Sequence, residues 1–470
     1  MTDRPRLGPH DPEEGWDVPT DEDVAEMLGE DGLVSGVPLG GPLPGDEDDD
    51  GDDYLPPRPV PEVGSAEWQA DMADLAAVEE ELSTRWPETR IEPSLDRIAE
   101  LLSILGDPQH AYPVVHVAGT NGKTSVTRMV DSLLRALHQR TGRTSSPHLQ
   151  SVTERVAVDG EPVPARLFVD TYRELQPYLE MVDDRSQARG GPRMSYFEVL
   201  TAIAFVAFAD APVEVAVVET GMGGTWDATN VVRPAGAVVT PVGLDHLDYL
   251  GEDLADIAAE KAGIIQPAPS DDLLPRDPVA VFGRQEPEAM EVLLRRAVEV
   301  GAVVARLDSE FGVVERRLAV GGQQLTLRGL GGEYPEVFLP LFGQHQAENA
   351  ATALAAVEAY FGAGPGRALD PELVRAGFAA VDNPGRLERL SSSPTVLVDA
   401  AHNGHGGRAL AEAVTSEFDF KRLVAVVAML DGKDADAFLA ALEPVVEEVV
   451  VTRPASPRAM PLGDLALLAE

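Results

Sequence analysis

Apolar and polar residues alternate along this chain with two different periods from residue 65 onward. The run "YPVVHVAG" at 112–119 is short and apolar, which is typical of a buried strand. Apolar residues from Val126 to Leu137 then recur at helical spacing until Gly142 ends the pattern. The same types of segment return in "FEVLTAIAFVAFAD" (197–210), "VEVAVVET" (213–220), "AGAVVTPV" (235–242), "DLADIAAEKAGII" (253–265) and "QHQAENAATALAAVEAYFG" (344–362). This alternation predicts an α/β fold, a mostly parallel sheet with helices on both faces.

A second, shorter alternation begins after "VDNPGRLERL" at 381–390. Its predicted strands are "TVLVDAA", "RLVAVVAML" and "EEVVVTRP", and its predicted helices are "GGRALAEAVTSEF" and "ADAFLAAL". The pattern predicts a larger domain over residues 65–383, which opens with two helices. A smaller Rossmann-like α/β domain is predicted over residues 384–470.

Residues 1–64 differ from the rest of the chain in composition. They are rich in Pro, Gly and acidic residues and include "DEDDDGDD" at 46–53. Such a segment buries too little apolar surface to offset the entropy of ordering it, so a disordered acidic tail is predicted, with a docking tail as the alternative. The whole chain has a net charge of -43, which disfavours binding to nucleic acid or to an anionic membrane.

The chain contains no cysteine, which excludes disulfides and cysteine-ligated metal centres. The longest apolar run, "VLTAIAFVAFA" at 199–209, is shorter than the roughly 20 residues of a membrane span. The N-terminus lacks the basic start and apolar core of a signal peptide. A cytoplasmic location is therefore expected, and a monomer is the expected state.

The stretch "HVAGTNGKTSV" at 116–126 lies between the first predicted strand and its helix. In a phosphate-binding loop, glycines permit a tight turn whose backbone N–H groups point at the anion, a lysine reaches the phosphates and a hydroxyl faces Mg²⁺. The strict pattern would place a glycine at Val117, so an ordinary capped turn is the alternative. The strand–turn–helix context favours a phosphate-binding loop. Its predicted nucleotide contacts are Gly119, Asn121, Gly122, Lys123, Thr124 and Ser125.

The wording of this loop resembles that of the Mur ligases, which are ATP-dependent amide-bond ligases. Other stretches resemble the folylpolyglutamate synthase and dihydrofolate synthase family in the family's own order: "SPHLQSVTERVAVDG" (146–160), "ETGMGGTWDATN" (219–230), "GLDHLDYLG" (243–251), "EKAGII" (260–265), "GQHQAENAATAL" (343–354), "PGRLE" (384–388) and "DAAHN" (399–403). The resemblance implies that ATP phosphorylates a substrate carboxylate. The amine of L-glutamate then attacks the acyl phosphate of a folate, of dihydropteroate, or of both.

The resemblance also implies two Mg²⁺ sites. Ser146 and Glu219 are expected to share one ion, and Glu219 ends a predicted strand, where ligands of parallel sheets bind. His246 and Lys261 are expected at the second ion, with the lysine carboxylated so that it offers oxygens. Together with Lys123, His246 and Lys261 form the expected catalytic set. Each residue taken alone has a plainer interpretation, such as a solvated strand end, a loop histidine or a surface lysine.

The remaining expected contacts are also assigned by resemblance. The expected ATP contacts beyond the loop are Asn349, Arg386 and Asp399. The expected pterin or folate contacts are Ser195, Tyr196, Phe197, Trp226, Asp227 and Ala228. A salt bridge at Arg386 and core packing of Phe197 are the plainer alternatives, whereas an aromatic face suits a flat pterin ring.

Two features depart from the family pattern. Thr225 stands where the family usually has an arginine in "GGRxDATN", so any charge contact from that position is lost. The sequence ends at "LGDLALLAE", where family members usually continue with another strand and helix. Either the sequence is a fragment or its second domain is short, and the C-terminal domain is expected to look truncated.

Two other functions compete with the folate-type ligase. A cell-wall Mur ligase would carry a folded N-terminal domain for its UDP-sugar, whereas an acidic tail and two predicted helices precede this P-loop. A non-ligase nucleotide-binding protein of the GTPase type would need a guanine-reading NKxD motif. The nearest candidate, "DGKD" at 431–434, does not match it.

Removal of residues 1–64 is expected to leave kcat, KM and Tm nearly unchanged, because a segment of this composition contributes few buried contacts. Ligase turnover and thermal melting of the shortened and full chains would measure this. A large fall in either quantity would mean that the tail docks on the fold.

Overall fold

Parallel strands form the centre of the larger domain in this computed structural model, which describes residues 60–87, 92–268, 277–456 and 458–470. In these residues an eight-stranded sheet has the order β4-β3-β2-β5-β1-β6-β7-β8. Its strands are β1 (Val114–Ala118), β2 (Thr141–Thr144), β3 (Val156–Val158), β4 (Glu161–Pro162), β5 (Val215–Glu219), β6 (Pro234–Val239), β7 (Val279–Phe282) and β8 (Val303–Arg306). Strands β2, β5, β1, β6, β7 and β8 run parallel, and β3 and β4 add an antiparallel edge.

Helices cover both faces of this sheet. The helices of the described residues are α1 (Ala66–Ser83), α2 (Asp96–Ile104), α3 (Lys123–Ala136), α4 (Ala165–Ala188), α5 (Tyr196–Asp210), α6 (Leu247–Leu250), α7 (Leu254–Ala262), α8 (Pro287–Val300), α9 (Gln344–Tyr360), α10 (Pro371–Ala379), α11 (Gly404–Glu417), α12 (Ala435–Leu442) and α13 (Leu462–Ala469). Each of these helices lies within the described ranges, and none is both long and apolar enough to span a membrane.

Strand β1 is buried along its whole length because it lies between β5 and β6. Its side chains alternate between two cores. Val115 and Val117 pack with α3 and α9, whereas Val114 packs with α5 on the opposite face. The chain leaves β1 to build strands on one side of it and later returns to build β6 on the other. The carboxyl ends of β1, β5 and β6 therefore meet at a switch point, where ligands of parallel sheets bind.

Smaller sheets complete the described structure. Strands β9 (Gly312–Ala319), β10 (Gly322–Arg328) and β11 (Glu333–Leu339) pair antiparallel. In the C-terminal region, β12 (Glu388–Ser392) pairs antiparallel with β13 (Thr395–Val398), and β14 (Val424–Val427) pairs parallel with β15 (Glu448–Val451). Helices α11 and α12 pack together beside these pairs.

The α/β class, the mostly parallel sheet and the smaller C-terminal α/β region predicted from the pattern are confirmed. The prediction did not include β9, β10 and β11. In β9 the exposed Val314 and Leu318 accompany three charged residues, so its alternation of apolar and polar positions is weak. Residues Val60–Glu470 group as one compact unit, and the boundary at residue 384 stays a prediction. Nearly all of the predicted acidic tail, residues 1–59, lies outside the described residues.

The packing of β2 against α5 generates a stability prediction. A Cβ built on Gly142 would lie 2.7 Å from the Phe208 ring, which is fully buried. Gly142→Ala is therefore expected to destabilise the fold by about 1–3 kcal/mol through overpacking. Gly236→Ala in β6 is the matched control, because that Cβ would meet nothing within 4 Å among the described residues. Urea unfolding of both variants measures the difference, and equal midpoints would contradict the expected crowding.

Candidate active site

The loop between β1 and α3, residues 119–122, forms a tight turn at the switch point. Gly119 and Gly122 have φ of 148° and 88°, in the region that favours glycine. A Cβ on Gly119 would overlap Thr240, and a Cβ on Gly122 would lie 2.8 Å from Asn349 Oδ1. Within the described residues no side chain caps the first turn of α3. Its backbone N–H groups are therefore available to an anion, as in phosphate-binding loops.

Lys123 lies over this loop. Its Nζ donates to the carbonyl oxygens of Gly119 at 3.0 Å and Thr120 at 3.3 Å. Burial lowers the pKa of its amine, although the negative charges of Glu219 and Asp245 oppose that shift. The ammonium therefore has two carboxylates within electrostatic reach and lies where the loop would hold a phosphate.

Glu219 ends β5 and is 2% exposed. Its Oε1 accepts a hydrogen bond from the Thr124 hydroxyl at 2.9 Å, and its Oε2 accepts one from the Ser146 backbone amide at 3.4 Å. Burial raises the pKa of this carboxyl, and Lys123 and Thr124 offset part of the rise. The P-loop helix and the "SPH" segment thus meet at one buried carboxylate.

The oxygens around Glu219 fit Mg²⁺. One carboxylate with nearby hydroxyl groups is a hard donor set, and protein-bound Mg²⁺ typically uses one or two carboxylates together with substrate phosphates. The buried charge of Glu219 would also be stabilised by a cation. In the described residues no group of three or more His, Asp or Glu side chains could hold a metal without such further ligands.

Lys261 reaches the same loop from α7. It is 3% exposed, and its Nζ donates to Gly119 O at 2.8 Å. Burial, reinforced by the positive charge of Lys123, lowers the pKa of Lys261 to about 7. An amine with that pKa is partly neutral near neutral pH, unlike an ordinary lysine.

In this structure His246 is not arranged to bind the expected second metal ion. Its Nε2 lies 3.1 Å from Nζ of Lys433, and burial lowers the pKa of its ring to about 4, although Asp245 opposes the shift. The ring is therefore neutral at pH 7, with an ammonium beside the nitrogen that a metal would use. His246 and an unmodified Lys261 do not by themselves fit a second Mg²⁺.

Asp245 is the centre of the contact between the two regions. Lys433 donates to its two carboxylate oxygens at 2.9 and 3.2 Å, the Asn403 amide donates at 3.4 Å, and His402 Nε2 lies 3.7 Å away. Burial raises the pKa of Asp245, but His402, His246 and Lys433 outweigh it and hold that pKa far below its usual range. Its charge is therefore balanced from the C-terminal region.

The C-terminal region also contacts the P-loop directly. His405 on α11 lies 3.1 Å from the Asn121 amide nitrogen, and Asn403 donates to Asn121 Oδ1 at 3.3 Å. Burial raises the pKa values of Glu219 and Asp399, and the positive charge of Arg386 offsets part of each rise. Asp399 itself accepts from the Leu387 and Ala401 amides, each at 2.7 Å.

Two predicted ATP contacts, Asn349 and Ser125, are buried beside the P-loop. Asn349 is buried on α9 against Gly122, and its amide donates to Gln346 at 3.1 Å. Ser125 is 2% exposed, and its hydroxyl accepts hydrogen bonds from Gln346 at 3.3 Å and Asn383 at 2.8 Å. Its hydroxyl oxygen therefore already accepts two hydrogen bonds from buried side chains.

The first group of predicted substrate residues begins α5. Ser195 and Glu198 form a capping box, in which the Ser195 hydroxyl accepts from the Glu198 amide at 3.2 Å. The ring of Tyr196 lies 5.5 Å from the Arg155 guanidinium. The ring of Phe197 packs on the backbone of Gly221, just beyond Glu219.

The second group lies in the loop after β5. The Trp226 amide donates to the Glu260 carboxylate at 3.3 Å, and the hydroxyl of Thr225, the departure from the family pattern, donates to the Glu260 carbonyl at 3.1 Å. Asp227 is 3% exposed and accepts from the Met222 and Thr229 amides, so its carboxylate shapes the loop. Ala228 follows it, also buried. The substrate roles of both groups stay predictions.

Asp245 and Lys433 were not among the site residues predicted from the sequence. Asp245 lies in the quoted "GLDHLDYLG", and Lys433 lies in the "DGKD" that was considered only as a guanine-reading motif. A signal for the lysine was present, since the chain has four lysines in total. Three of them, Lys123, Lys261 and Lys433, lie at this site.

Family models match both regions of the chain. The Mur ligase middle domain matches residues 117–357, and the Mur ligase glutamate ligase domain matches residues 385–470. These matches together cover the P-loop, Glu219, Lys261 and the C-terminal contacts. They agree with the resemblance drawn from the motifs.

Known proteins agree with these models. A dihydrofolate synthase/folylpolyglutamate synthase of Mycobacterium tuberculosis is 58% identical over 417 residues, 88% of this chain and 85% of that protein. A Mycobacterium tuberculosis folylpolyglutamate synthase complexed with ADP superposes with a TM-score of 0.80 at 59% identity, covering 85% and 86% of the two chains. Escherichia coli FolC in complex with DHPP and ADP gives a TM-score of 0.72 at 32% identity, covering 84% and 87%. The cell-wall alternative is not favoured, and the chain belongs to the dihydrofolate synthase/folylpolyglutamate synthase family of ATP-dependent ligases.

Proposed function

We propose that this protein joins L-glutamate to the carboxylate of a folate, of dihydropteroate, or of both, with ATP as the energy source. The observation that carries the proposal is the buried Glu219 carboxylate, which Thr124 and Ser146 hold beside the P-loop lysine. The relative named for both synthase activities and the Escherichia coli structure with DHPP and ADP support these substrates. A monomeric state and a cytoplasmic location remain predictions.

In the proposed reaction, an oxygen of the substrate carboxylate attacks the terminal phosphorus of ATP, which releases ADP and leaves an acyl phosphate. The glutamate amine then attacks the acyl carbon, phosphate leaves, and the nitrogen loses a proton as the amide forms. Phosphoryl transfer depends mainly on positioning and charge neutralisation. The amides of the first turn of α3 and the Lys123 ammonium provide both for the phosphate oxygens.

The buried carboxylate gives this site its metal preference. Glu219, the Thr124 hydroxyl and Ser146 would hold one Mg²⁺, which when bound shields the phosphate charge. Arg386 adds a fixed positive charge from the C-terminal region within reach of Glu219. ATP is accordingly proposed to lie between the larger domain and residues 384–470.

The first test is the Lys123→Ala variant, assayed for ATP-dependent glutamate addition with dihydropteroate and with tetrahydrofolate side by side. Turnover is expected to fall on the order of 10²-fold or more, because a charge contact made in the transition state is lost. The fold should survive. Lys421→Ala, at an exposed lysine, is the matched control and should keep full activity.

Two outcomes would contradict the proposal. Near-normal ligation by Lys123→Ala would remove the role of the P-loop. ATP turnover by the parent protein that needs neither glutamate nor a pterin carboxylate would exclude a ligase of this kind.

Lys261 generates the second test, because the family resemblance implies that its amine is carboxylated. Attack of the neutral amine on CO₂ forms an N–C bond and releases one proton, leaving a carbamate whose two oxygens share one negative charge and would suit Mg²⁺ where an ammonium would not. The carbamate is expected to form increasingly as pH rises through about 7, since the ammonium that prevails below that pKa does not react. ¹³C NMR of the protein in labelled bicarbonate, with Mg²⁺ and ADP, would report it.

The matching variants separate modification from charge. Lys261→Ala should keep the fold and ADP binding but lose most ligation, and Lys261→Arg should not rescue it, since a guanidinium has no acceptor. The carbamate signal should be absent from both and present in Lys421→Ala. Fully active protein without a carbamate signal would contradict the modification.

A further inference from the structure

Helix α9 starts without a cap from its own sequence. Gly343 occupies its N-cap position with φ of 97°. As a glycine it has no side chain that could cap the first turn. Its first turn also lacks an acidic residue. A helix start of this kind leaves backbone N–H groups and a positive dipole end that an anion would stabilise.

The anion comes from the C-terminal region. Glu417 is the last residue of α11, and each of its carboxylate oxygens accepts a hydrogen bond from the Gly343 amide at 2.9 Å. The Arg316 guanidinium on β9 donates to the same carboxylate. The side chain of Glu417 is 1% exposed, so water screens these contacts poorly.

Further contacts support this joint from both sides. Gln323 accepts from Arg316 Nε at 2.5 Å and donates to the carbonyl oxygens of Leu341 and Gly343 at 3.0 and 3.1 Å. The rings of Phe342 and Phe418 pack with centroids 4.8 Å apart. The carboxylate is therefore surrounded by partners that are themselves fixed.

The first turn of α11 contacts the P-loop directly, and its last residue is linked to the loop through α9. Its first turn carries His405, which lies 3.1 Å from the Asn121 amide nitrogen. Its last residue, Glu417, holds the start of α9, and less than two turns further α9 presents Asn349 to Gly122. A change in the position of the Glu417 carboxylate would thus alter the angle at which α11 meets the loop.

We propose that Glu417 is a positioning residue for ligation: it caps α9 from the C-terminal region and fixes the orientation of α11 over the P-loop. The proposal rests on the proposed glutamate ligation for its kinetic consequence, and its structural consequence stands without it. Glu417 touches no reacting atom. Its loss would free the end of α11 while leaving Lys123, Thr124 and Glu219 intact.

The kinetic test compares Glu417→Ala, Glu417→Gln and Glu412→Ala. Glu412 lies on the same helix and is exposed, so its variant should behave as the parent. Glu417→Ala is expected to lower kcat on the order of 10-fold, because small misplacements of reacting groups are costly, whereas ADP binding to the intact loop should change little. Glutamine keeps an acceptor for Gly343 but not the charge, so Glu417→Gln should recover part of kcat.

The structural test needs no activity. The parent chain has no cysteine, so Val298→Cys on α8 and Ala440→Cys on α12, both at exposed positions, can be spin-labelled selectively. The distance distribution between the labels should broaden in Glu417→Ala and remain narrow in Glu412→Ala. A parent-like distribution in Glu417→Ala, or a kcat loss fully explained by a smaller folded fraction, would overturn the proposal. A parent protein without ligation would instead refute the proposed function and leave the distance result to decide on Glu417.

Discussion

A carboxylate buried at the end of a central parallel strand is the constraint around which this site is built. Glu219 is 2% exposed, and an uncompensated charge in such a place would be strongly destabilising. The P-loop supplies a hydroxyl and a lysine, the "SPH" segment supplies an amide, and the C-terminal region supplies the field of Arg386. The sequence segments that meet at this edge thus each contribute a group that stabilises the same buried carboxylate.

The clustering of cations around this carboxylate also explains how a very acidic protein can bind an anionic nucleotide. The chain carries a net charge of -43, yet three of its four lysines lie at the switch point. Each is held by specific acceptors, Lys123 and Lys261 by backbone carbonyls and Lys433 by Asp245. Local cations and oriented amides act over a few ångströms, whereas salt screens the distant acidic surface.

Sequence patterns predicted those features of the fold that are encoded within short segments of the chain. A short apolar strand, a glycine turn and an amphipathic helix are each encoded within about a dozen residues, so the P-loop and the strand-end position of Glu219 followed from the sequence. The Asp245–Lys433 pair joins residues 188 positions apart, and the Glu417–Gly343 contact spans 74. Such pairs depend on how two regions pack, and no periodicity reports that. The family resemblance supplied the predicted site residues, but it did not reveal these connecting contacts.

The Asp245 contacts set a condition on any second metal. As long as Lys433 lies 3.1 Å from His246 Nε2, that nitrogen faces an ammonium, and a dication there would be repelled by it. A metal at His246 therefore requires Lys433 to move away, and Lys433 also donates to both carboxylate oxygens of Asp245. Metal binding at His246 and the present Lys433–Asp245 ion pair therefore require different positions of the same lysine side chain. Either the Lys433 side chain would have to turn away or the C-terminal region would have to shift, so the placement of Lys433 against Asp245 decides whether His246 can take a metal.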